Sequence, residues 1–138
     1  MRNAFVDTNI LVYAADESVG ANRKRAIARE LLRTPDLQIS VQVLSEFVSS
    51  ARNPKKLGLS REAENDWLTG WLSMPVAAIT PGLFIEAVRI HRGYQLSHWD
   101  SLIVATALSL NCPILYSEDM QHGQIIEGLE IINPFAEE

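Results

Sequence analysis

The chain has little of what disulfides and soft metal sites require. Its 138 residues include one cysteine, Cys112, and three histidines. A single cysteine cannot form an internal disulfide, so we predict that Cys112 is a small core residue. His91, His98 and His122 lack the paired spacing of a zinc site and are expected to pack or to lie at the surface. Of the three, only His122 follows closely after a candidate site acid.

Long apolar runs and low-complexity tracts are also missing. No stretch has the roughly 20 consecutive apolar residues that cross a bilayer, and Met1 does not open a secretory signal pattern. We therefore expect a cytoplasmic location and no membrane partner. A hydrophobic fraction of 47% with 21% charged residues is typical of a globular protein. The length predicts one domain over residues 1–138.

Positive charge is scarce late in the chain, since no lysine or arginine follows Arg92, and the net charge is −5. This balance argues at first against a nucleic-acid partner. The basic residues, however, cluster in two segments: Arg23, Lys24, Arg25, Arg29 and Arg33, then Arg52, Lys55 and Lys56. Cations bound at acidic sites elsewhere would leave these segments free to contact a phosphate backbone. For the first segment alone, a solvated helix face is an equally good interpretation.

Apolar periodicity predicts strands that alternate with helices. The predicted strands cover residues 3–6, 37–40, 76–79, 114–116 and 129–132. The first predicted helix starts at Ile10. Further helices are predicted over residues 21–33, 41–50, 60–71 and 81–94 and in the apolar run around 102–108. This alternation indicates an α/β protein with a parallel sheet of about five strands, covered by helices on both faces.

Four acids stand where an apolar stretch passes into a turn or helix: Asp7, Glu46, Asp100 and Asp119. In an open α/β sheet the carboxyl ends of the strands share one edge, so distant acids can converge there. A dry cluster of like charges would be unstable without a neutralising cation. Carboxylate oxygens without histidine or cysteine are the ligands that Mg²⁺ or Mn²⁺ prefers. The four acids therefore predict a metal site.

Two of the acids have a simpler explanation as helix caps. Asp7, followed by Thr8 and Asn9, could cap the helix that begins near Ile10, and the triplet alone favours this interpretation. Asp100 stands three residues after Ser97, as in a capping box. The positive end of a helix dipole would hold Asp100 ionised in either role.

The other two acids also have alternatives. Glu46 stands among Val43, Leu44 and Phe47, and we place it away from the face that carries Gln42. An acid beside an apolar stripe needs compensation, either from a metal or from a basic partner such as Arg52. Asp119 follows Ser117 and Glu118 in a loop, where such residues are common in any case.

Taken in order, these motifs closely resemble the PIN-domain family, and within it the VapC-type ribonuclease toxins. The similarity rests on Glu46 in its helix and on three runs: Val6-Asp7-Thr8-Asn9-Ile10-Leu11, Trp99-Asp100-Ser101-Leu102-Ile103-Val104-Ala105 and Leu115-Tyr116-Ser117-Glu118-Asp119. It implies a three-layer α/β/α fold with a central parallel sheet of about five strands, Mg²⁺ or Mn²⁺ at the acids, homodimers and a small VapB-like antitoxin. Asp7, Glu46, Asp100 and Asp119 match the family's acidic positions, with Asn9 and Ser117 as supporting contacts.

The resulting hypothesis is a metal-dependent endoribonuclease that acts on RNA such as tRNA or rRNA, the toxin of a toxin–antitoxin pair. Asp7, Asp100 and Asp119 would hold the metal, and Glu46 would orient a second cation or the attacking water. A non-catalytic PIN-like module that binds nucleic acid or protein is the alternative. A receiver domain would need a late lysine, and a haloacid dehalogenase phosphatase would need an acid where Asn9 stands.

Overall fold

The computed structural model describes residues 3–137, which form six strands and six α-helices. The strands are β1 (Ala4–Val6), β2 (Leu37–Ser40), β3 (Val76–Ala77), β4 (Ile114–Tyr116), β5 (Ile125–Ile126) and β6 (Leu129–Ile132). The helices are α1 (Thr8–Ala15), α2 (Asn22–Leu31), α3 (Val41–Arg52), α4 (Arg61–Trp71), α5 (Pro81–Tyr94) and α6 (His98–Ser109), with a short 3-10 turn at Val19–Ala21. None of the helices in this part of the chain is long and apolar enough to cross a membrane.

The strands form one sheet in the order β3-β2-β1-β4-β6-β5. Every neighbouring pair is parallel except β5 and β6. The predicted class, a mostly parallel sheet flanked by helices, is confirmed. The strand count was too low, because the sequence prediction missed β5, which pairs antiparallel with β6 at the edge.

The missed strand depends on a tight turn between β5 and β6. Ile126 pairs with Leu129, so only Glu127 and Gly128 connect the two strands, and both have positive φ, 53° and 91°. Two-residue hairpins favour such angles, but glutamate rarely adopts them. Arg89 donates two hydrogen bonds to the Glu127 carboxylate, at 2.8 and 2.9 Å. This long-range contact helps hold a turn that local sequence rules do not predict.

Local capping explains where four of the helices begin. Ser40, Ser60, Thr80 and Ser97 are N-caps whose side chains each accept the amide N–H three residues later. Each such cap stabilises its helix by about 1 kcal/mol. Helix α6 then runs through the interior, and its residues 101–107 are all buried, so this stretch has no solvent-exposed face. Cys112 is buried in the core, as predicted.

Strands β1 and β4 are central and bring distant segments together at the carboxyl edge of the sheet. Val6 is in register with Tyr116, and the Asp7 amide donates to the Tyr116 carbonyl at 3.0 Å. Because the chain order reverses at β1, its neighbours being β2 and β4, a crevice opens beyond these strand ends. Asp7 and Ser117 therefore leave the sheet side by side.

Candidate functional site

Asp7 is both a helix cap and a member of the acidic cluster, so the two interpretations of this residue are compatible. Its Oδ1 accepts the Thr8 amide at 2.7 Å, which caps α1. Its Oδ2 accepts the Ser117 hydroxyl at 2.7 Å. The side chain is buried, with 3% of the residue exposed. These hydrogen bonds fix the carboxylate at the end of β1.

Burial raises the pKa of Asp7 from 3.8 to about 7. The hydrogen bonds from Ser117 and Thr8 act against this shift, while the negative charges of Asp119 and Asp100 add to it. Ionising Asp7 in the folded protein therefore costs free energy, because the carboxylate has lost water and faces like charges.

Asn9 connects the acid at the end of β1 with the loop after β4. Its Nδ2 donates to Asp119 Oδ2 at 3.1 Å and lies 3.5 Å from Asp7 Oδ2. Its Oδ1 accepts the Glu118 amide at 3.2 Å. In the same loop the Asp119 amide donates to Ser117 Oγ at 3.2 Å. Asn9 and Ser117 thus contact acids from both strands, in the positions that the sequence predicted for supporting residues.

Glu46 is held by α1 and by its own helix. The Thr8 hydroxyl donates to Glu46 Oε1 at 2.8 Å, and Gln42 Nε2 donates to Glu46 Oε2 at 3.2 Å. The sequence interpretation that separated Glu46 from the face of Gln42 is wrong, because residues four apart in a helix lie on one face. The suggested partner Arg52 instead binds Glu64, at 2.8 and 3.2 Å.

Gln42 is a site neighbour that the sequence analysis did not single out. It is 7% exposed, and its Nε2 also donates to the Trp99 carbonyl at 3.1 Å. Its Oε1 is buried and has no hydrogen-bond partner within residues 3–137. The spacing of Gln42 and Glu46 on one helical face is the signal that would have found it.

Asp100 approaches the cluster from the first turn of α6. Its amide donates to Ser97 Oγ at 3.1 Å, so the serine half of the predicted capping box is present. The side chain is partly buried, and burial raises its pKa. The charge of Asp119 raises it further, the hydrogen bond with Ser97 lowers it, and the charge of Glu46 adds a smaller increase. Besides burial, acids from two other parts of the fold therefore raise the pKa of Asp100.

The donor set suits a hard cation. The acidic side chains offer carboxylate oxygens, with the hydroxyls of Thr8 and Ser117 nearby, and such ligands suit Mg²⁺ or Mn²⁺. Among residues 3–137 no three or more carboxylate, imidazole or thiol side chains are grouped closely enough to enclose a metal as they stand. Hydrogen bonds to Asn9 and Thr8 occupy the acids instead. Burial is the main cause of the raised pKa values of Asp7 and Asp100, and the charge of Asp119 adds to both, which indicates negative charge that a cation would neutralise.

A groove of about 690 Å³ runs beside the acids. It is lined by Thr8, Asn9, Val12, Tyr13, Asp16, Ser18, Glu46, Ser49, Ser50, Lys55, Lys56, Leu57, Glu118 and Asp119. Two of the predicted site acids and both lysines of the segment after α3 thus face one concave surface.

The first basic segment does not form the free phosphate-binding face that the sequence allowed. Arg23 donates to the Phe135 carbonyl at 2.8 Å, Arg25 to the Asp16 carbonyl at 2.7 Å and Arg29 to the Ala14 carbonyl at 2.8 Å. Lys24 binds Glu118 and the Tyr13 hydroxyl. These side chains hold α2 to the rest of the fold. Likewise, His122 Nδ1 accepts the Asn133 amide at 2.9 Å, a structural contact.

Tyr13 and Lys24 brace the loop that carries Asp119. The Tyr13 hydroxyl donates to Glu118 Oε1 at 2.8 Å, and Lys24 binds the other oxygen of the same carboxylate. We expect Tyr13→Phe to lower the free energy of unfolding by about 1 kcal/mol, because a partly buried acceptor loses its donor. Chemical denaturation would measure this loss. Tyr94→Phe, which removes an exposed hydrogen bond to Glu127, is the matched control. It should lower the free energy of unfolding by only roughly a few tenths of a kcal/mol. Equal losses in both variants would contradict a bracing role for Tyr13.

A family model for the PIN domain matches residues 4–125 of the chain. Among proteins with curated descriptions, none matches the sequence significantly. Solved structures do share the fold. A toxin–antitoxin complex from Klebsiella pneumoniae aligns with a TM-score of 0.71 and 21% identity, over 96% of this chain and 98% of that one.

Two further structures have similar scores. VapC20 of Mycobacterium tuberculosis, described as a sarcin-ricin loop cleaving toxin, aligns with a TM-score of 0.68 and 18% identity, over 83% of this chain and 88% of that one. A DNA-bound VapBC from Salmonella typhimurium aligns with a TM-score of 0.66 and 20% identity, over 95% of this chain and 97% of that one. At these identities the likeness establishes a shared fold.

Proposed function

Since this chain belongs to the PIN-domain family, we propose that it is a metal-dependent endoribonuclease and the toxin of a toxin–antitoxin pair. The observation that carries the proposal is the hydrogen bonding that links acids from different elements beside one groove. Asn9 contacts Asp7 and Asp119, and Thr8 binds Glu46. Asp100 has no part in these hydrogen bonds, but burial and the charges of Asp119 and Glu46 raise its pKa. Burial and, to a smaller extent, two neighbouring acids raise the pKa of Asp7 to about 7, and a shift of this kind is more typical of a functional carboxyl than of a helix cap.

The site residues would have different roles, which depend on their positions. Asp7, Asp100 and Asp119 would hold Mg²⁺ or Mn²⁺, and Glu46 would hold a second cation or orient the attacking water. The cation supplies charge stabilisation for the phosphodiester oxygens and lowers the pKa of water. Ser117 and Asn9 fix the directions of the Asp7 and Asp119 carboxylates, and Thr8 fixes Glu46. Such preorganisation favours a transition state in which charge grows on phosphate oxygens.

The direct test is RNA cleavage by purified protein in rising Mg²⁺ or Mn²⁺. We expect activity that disappears in excess EDTA and returns when metal is restored, because every proposed ligand is a hard oxygen. Asp119→Asn should be inactive, and Asp66→Asn, an exposed acid on α4, should match the wild type. Full cleavage in EDTA by a preparation whose Asp119→Asn variant is inactive would exclude metal dependence. Metal binding without cleavage would favour the non-catalytic alternative.

Two partners are part of the proposal. The fold neighbours include a toxin–antitoxin complex and VapBC assemblies, which supports a VapB-like antitoxin here. Such an antitoxin would place an arginine or lysine among the acids in place of the cation, with strong and salt-sensitive pairing. A co-purified inhibitor that left the Mg²⁺ affinity unchanged would contradict this mode. The RNA would be a tRNA or rRNA loop, as one neighbour is described as cleaving the sarcin-ricin loop.

We also propose a homodimer that covers an apolar face beside the site. Val41, Phe84, Ile85 and Trp99 are all about half exposed or more, and His98 packs between Phe84 and Trp99 at ring distances of 5.7 and 5.1 Å. Contiguous exposed aromatic surface of this kind is typical of an interface. Light scattering should give twice the chain mass, and Trp99→Ser should shift it to the monomer. A monomeric wild type at micromolar concentration would contradict the dimer.

A further inference from the structure

Lys55 and Lys56 lie on the wall of the groove that holds Glu46 and Asp119. Both side chains are exposed, and neither forms an ion pair with another of residues 3–137. Most of the other basic residues of the two segments are engaged, since Arg23, Lys24, Arg25 and Arg29 bind carbonyls or acids and Arg52 binds Glu64. Arg33 is exposed, lies outside the groove lining and pairs with Glu30 at 3.7 Å. The positive charge of the groove lining therefore comes from these two lysines.

The backbone that carries the lysines is fixed to the end of α3. The Asn53 side chain accepts the Lys55 amide at 2.9 Å, and the Asn53 carbonyl accepts the amides of Lys56 and Gly58 at 2.9 and 3.0 Å. Leu59 then donates to the Ala51 carbonyl at 2.7 Å. Leu57 and Leu59 also pack against the hydrophobic core. Only the lysine side chains remain to be ordered on binding, which lowers the entropic cost.

Gly58 lets this segment turn back toward the core. Its φ is +53°, a conformation that side chains with Cβ rarely adopt, and a Cβ there would lie 3.4 Å from the Pro54 Cα. The return of the chain after Gly58 lets Leu59 bond to Ala51 and hold the loop in place. The position of both lysines is thus set by the fold and not by a free tail.

From this arrangement we infer that Lys55 and Lys56 bind the backbone phosphates that flank the cleaved bond of a single-stranded RNA. The inference rests on the proposed function, because it takes the acids as the cleavage site. A phosphate chain of one negative charge per nucleotide fits two adjacent ammonium groups beside a cation site. An acidic peptide would pair with the lysines too, but the proposed cleavage site beside them acts on phosphodiester bonds, which favours RNA. The lysines position the substrate and do not touch the reacting atoms.

The test compares two double variants with the same change in net charge. Lys55→Ala/Lys56→Ala removes the groove lysines, whereas Arg33→Ala/Arg92→Ala removes two exposed charges that do not line this groove. Binding of a labelled single-stranded oligoribonucleotide is measured by fluorescence anisotropy across a salt titration. To prevent cleavage, each pair of substitutions is placed in an Asp119→Asn background. Thermal melting confirms that both proteins fold.

We expect the groove variant to bind roughly tenfold more weakly and its log-log salt slope to fall by about 1.4, or about 0.7 for each phosphate that a lysine no longer neutralises. With Asp119 restored, KM should rise while kcat stays within about twofold of wild type, as for an interaction made equally in ground and transition states. The control should keep the wild-type slope and KM.

The outcomes separate this inference from the proposed function. If wild type cleaves RNA and the groove variant has the same KM and salt slope as the control, the lysine inference is wrong while the nuclease proposal stands. If wild type cleaves no RNA but the groove variant loses affinity and slope, the lysines bind RNA and the nuclease proposal is wrong. If the groove variant changes only the affinity of a protein inhibitor, the lysines serve a peptide partner and the inference is overturned.

Discussion

Asp7→Asn is expected to abolish RNA cleavage and, in the metal-free protein at pH 8, to raise the free energy of unfolding by about 2–3 kcal/mol. The pKa of Asp7 is raised by about three units, and each unit corresponds to about 1.4 kcal/mol, so an uncharged side chain relieves up to about 4 kcal/mol. Asparagine keeps an acceptor for the Thr8 amide but weakens the hydrogen bond with Ser117. This weaker bond reduces the gain in unfolding free energy by about 1–2 kcal/mol.

The sign of the pH dependence follows from the same shift. Below about pH 4 Asp7 is protonated in both folded and unfolded states and has no effect on stability. Between about pH 4 and pH 7 only the unfolded state loses the proton, so stability falls as pH rises. Above pH 7 the full cost of the buried charge is present. The gain from Asp7→Asn should therefore be absent at pH 4 and largest at pH 8.

Urea denaturation in EDTA at several pH values, with RNA cleavage measured in Mg²⁺, would check this prediction. Loss of a metal ligand should lower cleavage by a hundredfold or more, since even outer contacts of a metal typically account for about 10–100-fold. Asp66→Asn is the control, as an exposed acid of α4 should affect neither property. An Asp7→Asn protein that is less stable than wild type at pH 8 would mean that the capping role outweighs the repulsion.

The second large effect is stabilisation of the wild type by Mg²⁺. A ligand that binds only the folded protein adds RT ln(1 + [L]/Kd), or about 2.7 kcal/mol at a hundredfold excess over Kd. For a chain of this size the melting temperature should rise by roughly 10 °C. Asp100→Asn should gain far less, because the site would keep only part of its carboxylates.

Melting curves with EDTA and with a Mg²⁺ series would measure these gains. Asp66→Asn should respond as the wild type does, which controls for a loss of net charge. A full Mg²⁺ response in both Asp7→Asn and Asp100→Asn would place the cation elsewhere. Combined with lower stability of both metal-free variants, that result would identify the two acids as helix caps.

Much of the architecture could be predicted because it depends on neighbours in sequence. Apolar runs and turn residues located the parallel strands, and caps such as Ser97 marked the helix starts. The class was therefore confirmed, whereas β5 was missed because a two-residue strand before a strained Glu127 carries almost no local pattern. Its antiparallel pairing depends on β6 and on Arg89, which lies far away along the chain.

For the site, the sequence by itself determined that Asp7 and Asp119 follow strand ends, since parallel strands must bring those ends to one edge. It did not determine the partners of the acids. Thr8 reaches Glu46 and Asn9 reaches Asp119 across 38 and 110 residues, and these contacts exist only once α1, α3 and the loop after β4 pack together. Tertiary structure likewise decided that the α2 arginines bind carbonyls, while Lys55 and Lys56 face the groove. Local propensities act over a few residues, whereas the partner of a long polar side chain depends on which surfaces the whole fold brings within a few ångströms.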